Sequence, residues 1–231
     1  MAQPRILIGT SGFSYKEWKG TFYPEDLPAK KYLNFYASHF LTTEINNSFY
    51  RTPDAKTIGT WYQEVPDNFS FTLKLNQKIT HMKKLKDAHE DMEHFLSVAH
   101  LLKEKMGTIL VQLPPYFRKN MEVLETFVSG FSSAARLAFE FRHETWNEKE
   151  VYTLLRNHNC AWAVVEAEDQ NAIREVTADF IYMRLRKGDY SSKDLKQWGD
   201  WIKNQSVDVY CYLKHDEKAP LLARELIEKI S

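Results

Sequence analysis

The sequence lacks several features that mark specialised classes of protein. Its 231 residues include two cysteines, Cys160 and Cys211, with no CxxC spacing, so we expect two inert, buried thiols in a reduced, cytoplasmic protein. It has no run of 18 apolar residues, which argues against a membrane-spanning helix. Because Met1 to Pro4 lead directly into an apolar segment, we also expect no signal peptide.

The chain also lacks an excess of charge of either sign. Lysine plus arginine and aspartate plus glutamate each total 31, which weakens the case for a nucleic-acid partner. Apolar residues make up 43% of the chain, as in globular proteins with a substantial core, and aromatic residues reach 14%. This length and composition predict one domain over residues 1–231.

The segment from Leu137 to Trp146 shows the pattern that organises the chain. Phe139 and Phe141 alternate with Glu140 and Arg142, as in a strand with one apolar face and one polar face. A single strand of this kind is often half exposed to water. The same alternation recurs in five strands, however, which favours a closed barrel with apolar side chains outward and polar side chains inward.

Eight apolar strand segments alternate with stripes of apolar residues at helical spacing, in units of about 29 residues. We therefore predict a (β/α)8 TIM-type barrel, an α/β fold with a parallel eight-stranded core and outer helices. Its second strand is predicted over residues 43–50, and its sixth helix, within residues 169–179, is predicted to be short or irregular. An open doubly wound sheet has the same order of units, but no glycine-rich phosphate fingerprint supports it.

Polar residues late on the inner strand faces are the candidate site residues, because barrel active sites lie at the C-terminal ends of the strands. Glu44 and Glu140 are a carboxylate pair that can separate into an acid and a base. We expect Lys74 and His81 to take part in the same chemistry. The candidate ligand-binding residues are Asn46, Gln112, Arg142 and Arg184, with Tyr15, Trp18 and Trp146 as a stacking wall.

The same residues also have a structural interpretation. Glu44 with Lys74, and Glu140 with Arg142, would form ion pairs that close the top of the barrel. A Schiff base on Lys74 is disfavoured, because neighbouring carboxylates would keep its amine charged. Likewise, the long connection over residues 13–28 is either a functional lid or a loop that packs its own aromatic residues.

The sequence resembles the YecE-like family, domain of unknown function 72. The resemblance rests on Ile8–Tyr15, Glu44–Tyr50, Phe71–Lys74, Ile79–His81, Leu110–Pro115, Glu140–His143 with Trp146, and Tyr182–Leu185. It implies a TIM-type barrel but no reaction. The chain departs from the family pattern at Glu166–Asp169, Arg186–Gly188 and Leu213–His215, which puts site roles on that part of the rim in doubt and makes it more basic.

The sequence is compatible with three functions. The favoured one is a metal-independent enzyme, without a cofactor, that uses acid–base chemistry on a small anionic substrate, phosphorylated or sugar-like. The second is a nucleic-acid-binding or endonuclease IV-like protein with a basic rim at Lys83, Lys84, Lys86, Arg186 and Lys187. The third is a noncatalytic ligand-binding barrel. Glu44, Glu140, Glu166 and His81 are potential metal ligands, but the many cations predict that no metal is required.

Overall fold

Eight parallel strands close into a barrel in the computed structural model, which describes residues 3–230. The first strand pairs with both the second and the eighth, which excludes the open sheet. The strands are β1 (Ile6–Ser11), β2 (Thr42–Ile45), β3 (Ser70–Lys74), β4 (Met106–Gln112), β5 (Arg136–Glu140), β6 (Ala161–Glu166), β7 (Phe180–Leu185) and β8 (Asp208–Leu213).

Helices pack on the outside of the barrel, as predicted. Those in the described residues are α1 (Tyr32–Ala37), α2 (Ala55–Glu64), α3 (His89–Ala99), α4 (Met121–Phe131), α5 (Lys149–Asn157), α6 (Ser192–Lys203) and α7 (Ala219–Ile230). None of them is long and apolar enough to cross a membrane. Residues 1, 2 and 231 of the predicted domain lie outside the described part of the chain, and a single domain over 1–231 stays a prediction.

The alternation of side chains along the strands separates two cores. In β7, Ile181, Met183 and Leu185 face the helices and join the larger apolar cluster. Phe180 and Tyr182 face the barrel interior and join the smaller one. A strand places successive side chains on opposite faces, and this phase directs the polar side chains at the strand ends into the barrel.

Two segments differ in detail from the sequence prediction. Strand β2 ends at Ile45 rather than near residue 50, and a short 3-10 turn follows at Asn47–Phe49. The Ser48 hydroxyl lies 2.9 Å from the Ile45 carbonyl oxygen and 2.8 Å from that of Lys74, so its single hydrogen is shared between the turn and β3. Residues 169–179, where the sixth helix was predicted to be short or irregular, contain no helix.

The long β1–α1 connection packs its own aromatic residues. Trp18, Phe22 and Tyr23 are all buried, and the Trp18 indole donates a hydrogen bond to the Asp216 carbonyl. The two cysteines are free and buried, as predicted. Burial raises the pKa of the Cys160 thiol to about 12, so it is protonated and unreactive at neutral pH.

Candidate functional site

Arg184, at the end of β7, lies between the two buried carboxylates of the barrel. Its Nη2 is 2.8 Å from Glu44 Oε1, and its Nη1 is 2.6 Å from Glu140 Oε2. All three side chains are at most 3% exposed. A guanidinium carries several donors in a fixed planar geometry, so one Arg184 side chain bridges strands on opposite sides of the barrel.

Further donors surround Glu44. The Ser11 hydroxyl and the Asn46 amide contact its Oε1 at 2.5 and 2.9 Å, and the Tyr182 hydroxyl donates to its Oε2. Burial alone would raise the pKa of Glu44, but Arg184 and these hydrogen bonds outweigh burial and lower it. Glu44 is therefore held ionised.

Glu140 is surrounded by arginines. In addition to Arg184, its carboxylate contacts Arg142 Nε at 3.1 Å and Arg186 Nη1 at 3.7 Å. Burial would raise the pKa of Glu140, but Arg184 and Arg142 lower it to about 2. Both carboxylates are thus ionised and enclosed, and their predicted role as an acid and base pair stays a prediction. They position Arg184 and the side chains around it.

A cavity of about 160 Å³ opens above this network at the C-terminal ends of the strands. Five of the side chains that line it are cationic, against the two carboxylates enclosed below. We call it the cationic cavity. Its lining residues are Ser11, Tyr15, Asn46, Tyr50, Lys74, Gln112, Arg142, Arg184, Arg186 and Lys214.

Lys74 does not form the ion pair with Glu44 that its sequence position suggested. Within the described residues it forms no salt bridge, and its Nζ lies 4.1 Å from the centre of the Phe49 ring. Burial and the nearby charge of Arg184 lower the pKa of Lys74 to about 8, against the opposing effect of Glu44 and Glu140. An amine with this pKa is still mostly charged at pH 7, but less completely than an ordinary lysine, so the disfavoured Schiff base on Lys74 stays a prediction.

Several nitrogen donors of residues that line the cavity form no hydrogen bond of standard geometry within residues 3–230, although the Gln112 amide is close enough to Glu140 to lower the pKa of that carboxyl. These are Gln112 Nε2, Arg184 Nε and Arg186 Nε, all of them buried atoms. A buried donor without an acceptor is costly, about 1–3 kcal/mol, and native proteins rarely leave one unpaired. Because these three nitrogens are closed to solvent, they add positive potential around the cavity but are not open to a ligand in this conformation.

The predicted stacking wall is only partly present. Trp146 is fully buried; its indole donates to the Phe117 carbonyl and its ring stacks on Phe141, so it does not reach the cavity. Trp18 is also fully buried and lies beneath Tyr15 at a centroid distance of 4.8 Å. Of the three aromatic residues, Tyr15 alone lines the cationic cavity.

His81 lies beside the cavity rather than in its lining. Its ring contacts Phe49 edge-on at 4.9 Å, and its Nδ1 is 2.9 Å from the Thr80 hydroxyl. Burial and the charges of Lys74 and Arg142 lower the pKa of His81, so its imidazole is neutral at pH 7. A direct role for His81 stays a prediction.

Sequence reasoning missed Ser11, Tyr50, Tyr182 and Lys214. Ser11 and Tyr182 had a usable signal, since both are residues with a hydroxyl group on inner strand faces. Tyr50 and Lys214 lie beyond the ends of their strands, where alternation no longer predicts direction. Arg186 was noted as part of a basic rim, and the structure places it in the cavity itself.

The four residues considered as metal ligands do not come together. Glu44 and Glu140 are occupied by Arg184, and Glu166 is paired with Lys187 at 3.0 Å. Within the described residues, no group of three or more His, Cys, Asp or Glu side chains is arranged to hold a metal ion. That the protein needs no metal stays a prediction.

The fold and this geometry define a TIM-barrel protein with a cationic cavity at the C-terminal ends of its strands. A family model described as "Protein of unknown function DUF72" matches residues 7–231. The chain therefore belongs to the DUF72 family, as the sequence resemblance indicated.

Solved structures support the same assignment of fold. A DUF72 family protein from Thermotoga maritima superimposes with a TM-score of 0.85 at 26% identity, over 97% of this chain and 98% of its own. A DUF72 family protein from Enterococcus faecalis superimposes with a TM-score of 0.78 at 18% identity, over 99% of this chain and 98% of its own. This second match shows a likeness of fold alone.

Among curated proteins, the chain is similar to UPF0759 protein YunF of Bacillus subtilis, with 28% identity over 64% of this chain and 54% of YunF. It is also similar to UPF0759 protein YecE of Escherichia coli K12, with 27% identity over 48% of this chain and 41% of YecE. The alignments thus span about half the length of these relatives.

Proposed function

We propose that the protein is a metal-independent enzyme that acts by acid–base chemistry on a small anionic substrate. The substrate's anionic group, such as a phosphate, binds in the cationic cavity. The observation that carries this proposal is the excess of five lining cations over two enclosed carboxylates. Arginine binds oxyanions through paired, charge-assisted hydrogen bonds.

The size of the cavity supports an anionic group rather than a whole large ligand. Sites for drug-sized molecules occupy about 300–1,000 Å³, whereas the cationic cavity measures about 160 Å³. It therefore fits one compact group. The rest of a substrate has to extend from the cavity toward the loops of the barrel mouth.

Lys74 is the group best suited to move a proton. It lines the cavity, and its lowered pKa gives a minor neutral fraction near neutral pH that an ordinary lysine lacks, as a general base requires. We therefore assign the role of base to Lys74 rather than to Glu44 or Glu140. The two carboxylates hold Arg184 in place.

We expect the amine of Lys74 to titrate at about pH 8, whereas an unperturbed lysine titrates near 10.4. Its neutral fraction, and with it the labelling rate of Lys74 by an amine-reactive reagent, should rise as pH increases through 8. Peptide mass spectrometry at a series of pH values measures this rate residue by residue. Saturating phosphate should shift the midpoint upward, because a nearby anion favours the charged amine. A midpoint near 10.4 without phosphate would remove Lys74 from the role of base.

The direct test of the proposal is calorimetric titration with inorganic phosphate. Arg142→Lys should bind phosphate about tenfold more weakly than wild type or worse, because a charge-assisted hydrogen bond contributes about 1.5–3 kcal/mol and lysine lacks the forked geometry. Its melting temperature should change little, since a cation remains beside Glu140.

Arg156→Lys is the matched control, because Arg156 forms an exposed pair with Glu175 on the outside of the barrel. It should leave phosphate affinity unchanged. Arg142→Ala should lower both affinity and melting temperature. If Arg142→Ala keeps full phosphate affinity while its melting temperature drops sharply, Arg142 is only a structural partner of Glu140, and most of the proposal is lost.

Nucleic acid is the second candidate ligand. Tyr50, at the cavity edge, and Tyr116, after β4, are 73% and 62% exposed, and exposed aromatic rings stack on unpaired bases. The proposed basic rim is weaker than its sequence suggests, however, since Lys83 pairs with Asp91 and Lys187 with Glu166. Binding of a single-stranded oligonucleotide with a steep salt dependence would favour this function.

A protein that binds phosphate without any turnover would instead be a noncatalytic ligand-binding barrel.

A further inference from the structure

A second cavity, of about 280 Å³, adjoins the cationic cavity between the loops that follow β1 and β2. The two cavities share Tyr15 and Asn46 in their linings, so these two side chains form the boundary between them. Among the described residues, no charged side chain lines the second cavity. We call it the neutral cavity, and its lining residues are Gly12, Phe13, Ser14, Tyr15, Ile45, Asn46 and Asn47.

The aromatic wall of the neutral cavity is fixed in place. The Tyr15 hydroxyl donates a hydrogen bond to the Ser11 carbonyl at 2.8 Å. The Tyr15 ring packs against the buried Trp18 ring at a centroid distance of 4.8 Å. Gly12 has a φ of +96°, and a Cβ there would lie 2.8 Å from the Tyr15 ring. Glycine at this turn therefore lets the ring lie close against the loop.

Polar groups line the same space. The Asn46 amide nitrogen donates to Ser11 Oγ and Glu44 Oε1, each at 2.9 Å, which uses both of its hydrogens and leaves its oxygen as an acceptor. Ser14 and Asn47 are both exposed, and within residues 3–230 their side chains form no hydrogen bond to the protein, so both are open to a ligand. The neutral cavity thus combines an aromatic face with uncharged donors and acceptors.

We infer that the neutral cavity holds the sugar ring of a sugar phosphate whose phosphate lies in the cationic cavity. A sugar ring carries several hydroxyl groups and no charge, and its C–H face packs on an aromatic side chain; few convergent polar groups then fix its orientation. This inference rests on the proposed anion site and names the class of substrate for it.

The test compares ligands that share one phosphate. Glucose 6-phosphate or ribose 5-phosphate should bind at least tenfold more tightly than inorganic phosphate in calorimetric titrations. Glycerol 3-phosphate, which has no ring, should exceed inorganic phosphate in affinity by a smaller factor than the sugar phosphates do. If phosphate itself does not bind, the proposed function fails. If phosphate binds but neither sugar phosphate binds more tightly, the anion site stands and the sugar inference is wrong.

Variants of the neutral cavity separate the two sites. Asn47→Ala and Ser14→Ala should each weaken sugar phosphate binding severalfold and leave inorganic phosphate binding unchanged. Asn157→Ala, at an exposed asparagine at the end of α5, is the matched control and should change neither. Equal affinities of the variants and wild type for the sugar phosphates would overturn the assignment. Adenosine 5′-monophosphate binding at least tenfold more tightly than ribose 5-phosphate would also overturn it, because the cavity would then accept a base.

Discussion

Replacing Arg184 with methionine is expected to lower the free energy of unfolding by about 3–5 kcal/mol, because removing one partner of a buried ion pair leaves the others uncompensated. Here two carboxylates, Glu44 and Glu140, lose their shared cation. For a protein of this size the loss corresponds to a fall in melting temperature of roughly 6–20 °C. Urea denaturation and thermal melts at pH 7 measure it.

The pH dependence of this loss identifies its cause. In the wild type, the pKa of Glu140 lies at about 2 against a usual 4.5, so the stabilisation is complete above pH 4.5 and is lost as pH falls toward 2. In Arg184→Met the buried carboxyls take up protons more readily. The difference in stability between the two proteins should therefore shrink as pH falls below 4.5.

Two further variants control this experiment. Arg136→Met breaks a partly exposed pair with Asp208 at the other end of the barrel, and an exposed pair contributes about 0–1 kcal/mol. The triple variant Arg184→Met, Glu44→Gln, Glu140→Gln removes all three charges and should recover much of the stability. An Arg184→Met protein as stable as wild type at pH 7 would contradict the central role of Arg184.

Replacing both Arg186 and Lys214 with methionine is expected to weaken phosphate binding about a hundredfold or more. Each side chain lines the cationic cavity, and two charge-assisted hydrogen bonds at about 1.5 kcal/mol or more each give this factor. Calorimetric titration with phosphate measures the change. Lys203→Met, at the end of α6, is the control and should bind phosphate as the wild type does.

The same double variant should not lose stability in the absence of ligand. Burial, together with the charges of Arg186 and Arg184, lowers the pKa of Lys214. A lysine whose pKa is lowered by folding destabilises the fold at any pH where it is charged in the unfolded chain. Removing these cations should thus keep or raise the melting temperature without anions. Unchanged phosphate affinity, or a large drop in ligand-free stability, would show that the cations serve the fold and not a ligand.

The barrel itself was predictable from local patterns. Alternation along β5 and β7 directed Glu140 and Arg184 inward, because strand geometry leaves only two directions for a side chain. The absence of a helix in residues 169–179 was partly foreseen from the weak apolar stripe. Trp146 was misassigned because it lies in a 3-10 turn after β5, where the two-residue period no longer holds.

The pairing of charges was not predictable from sequence. Glu44 and Lys74 lie on neighbouring strands, which suggested an ion pair, but the Arg184 guanidinium reaches across the barrel and contacts Glu44 instead. Such contacts depend on how the strands close into a barrel and on how far each side chain extends across it. They also decide the protonation states, so the lowered pKa of Lys74 followed only from the three-dimensional arrangement.

A crystal structure of the protein soaked with tungstate, an electron-dense analogue of phosphate, tests the central claim most directly. We predict an anomalous density peak in the cationic cavity, within hydrogen-bonding distance of at least one of Arg142, Arg184 and Arg186. A cavity that contains only water, while tungstate binds elsewhere on the protein, would contradict the assignment of this cavity as an anion site.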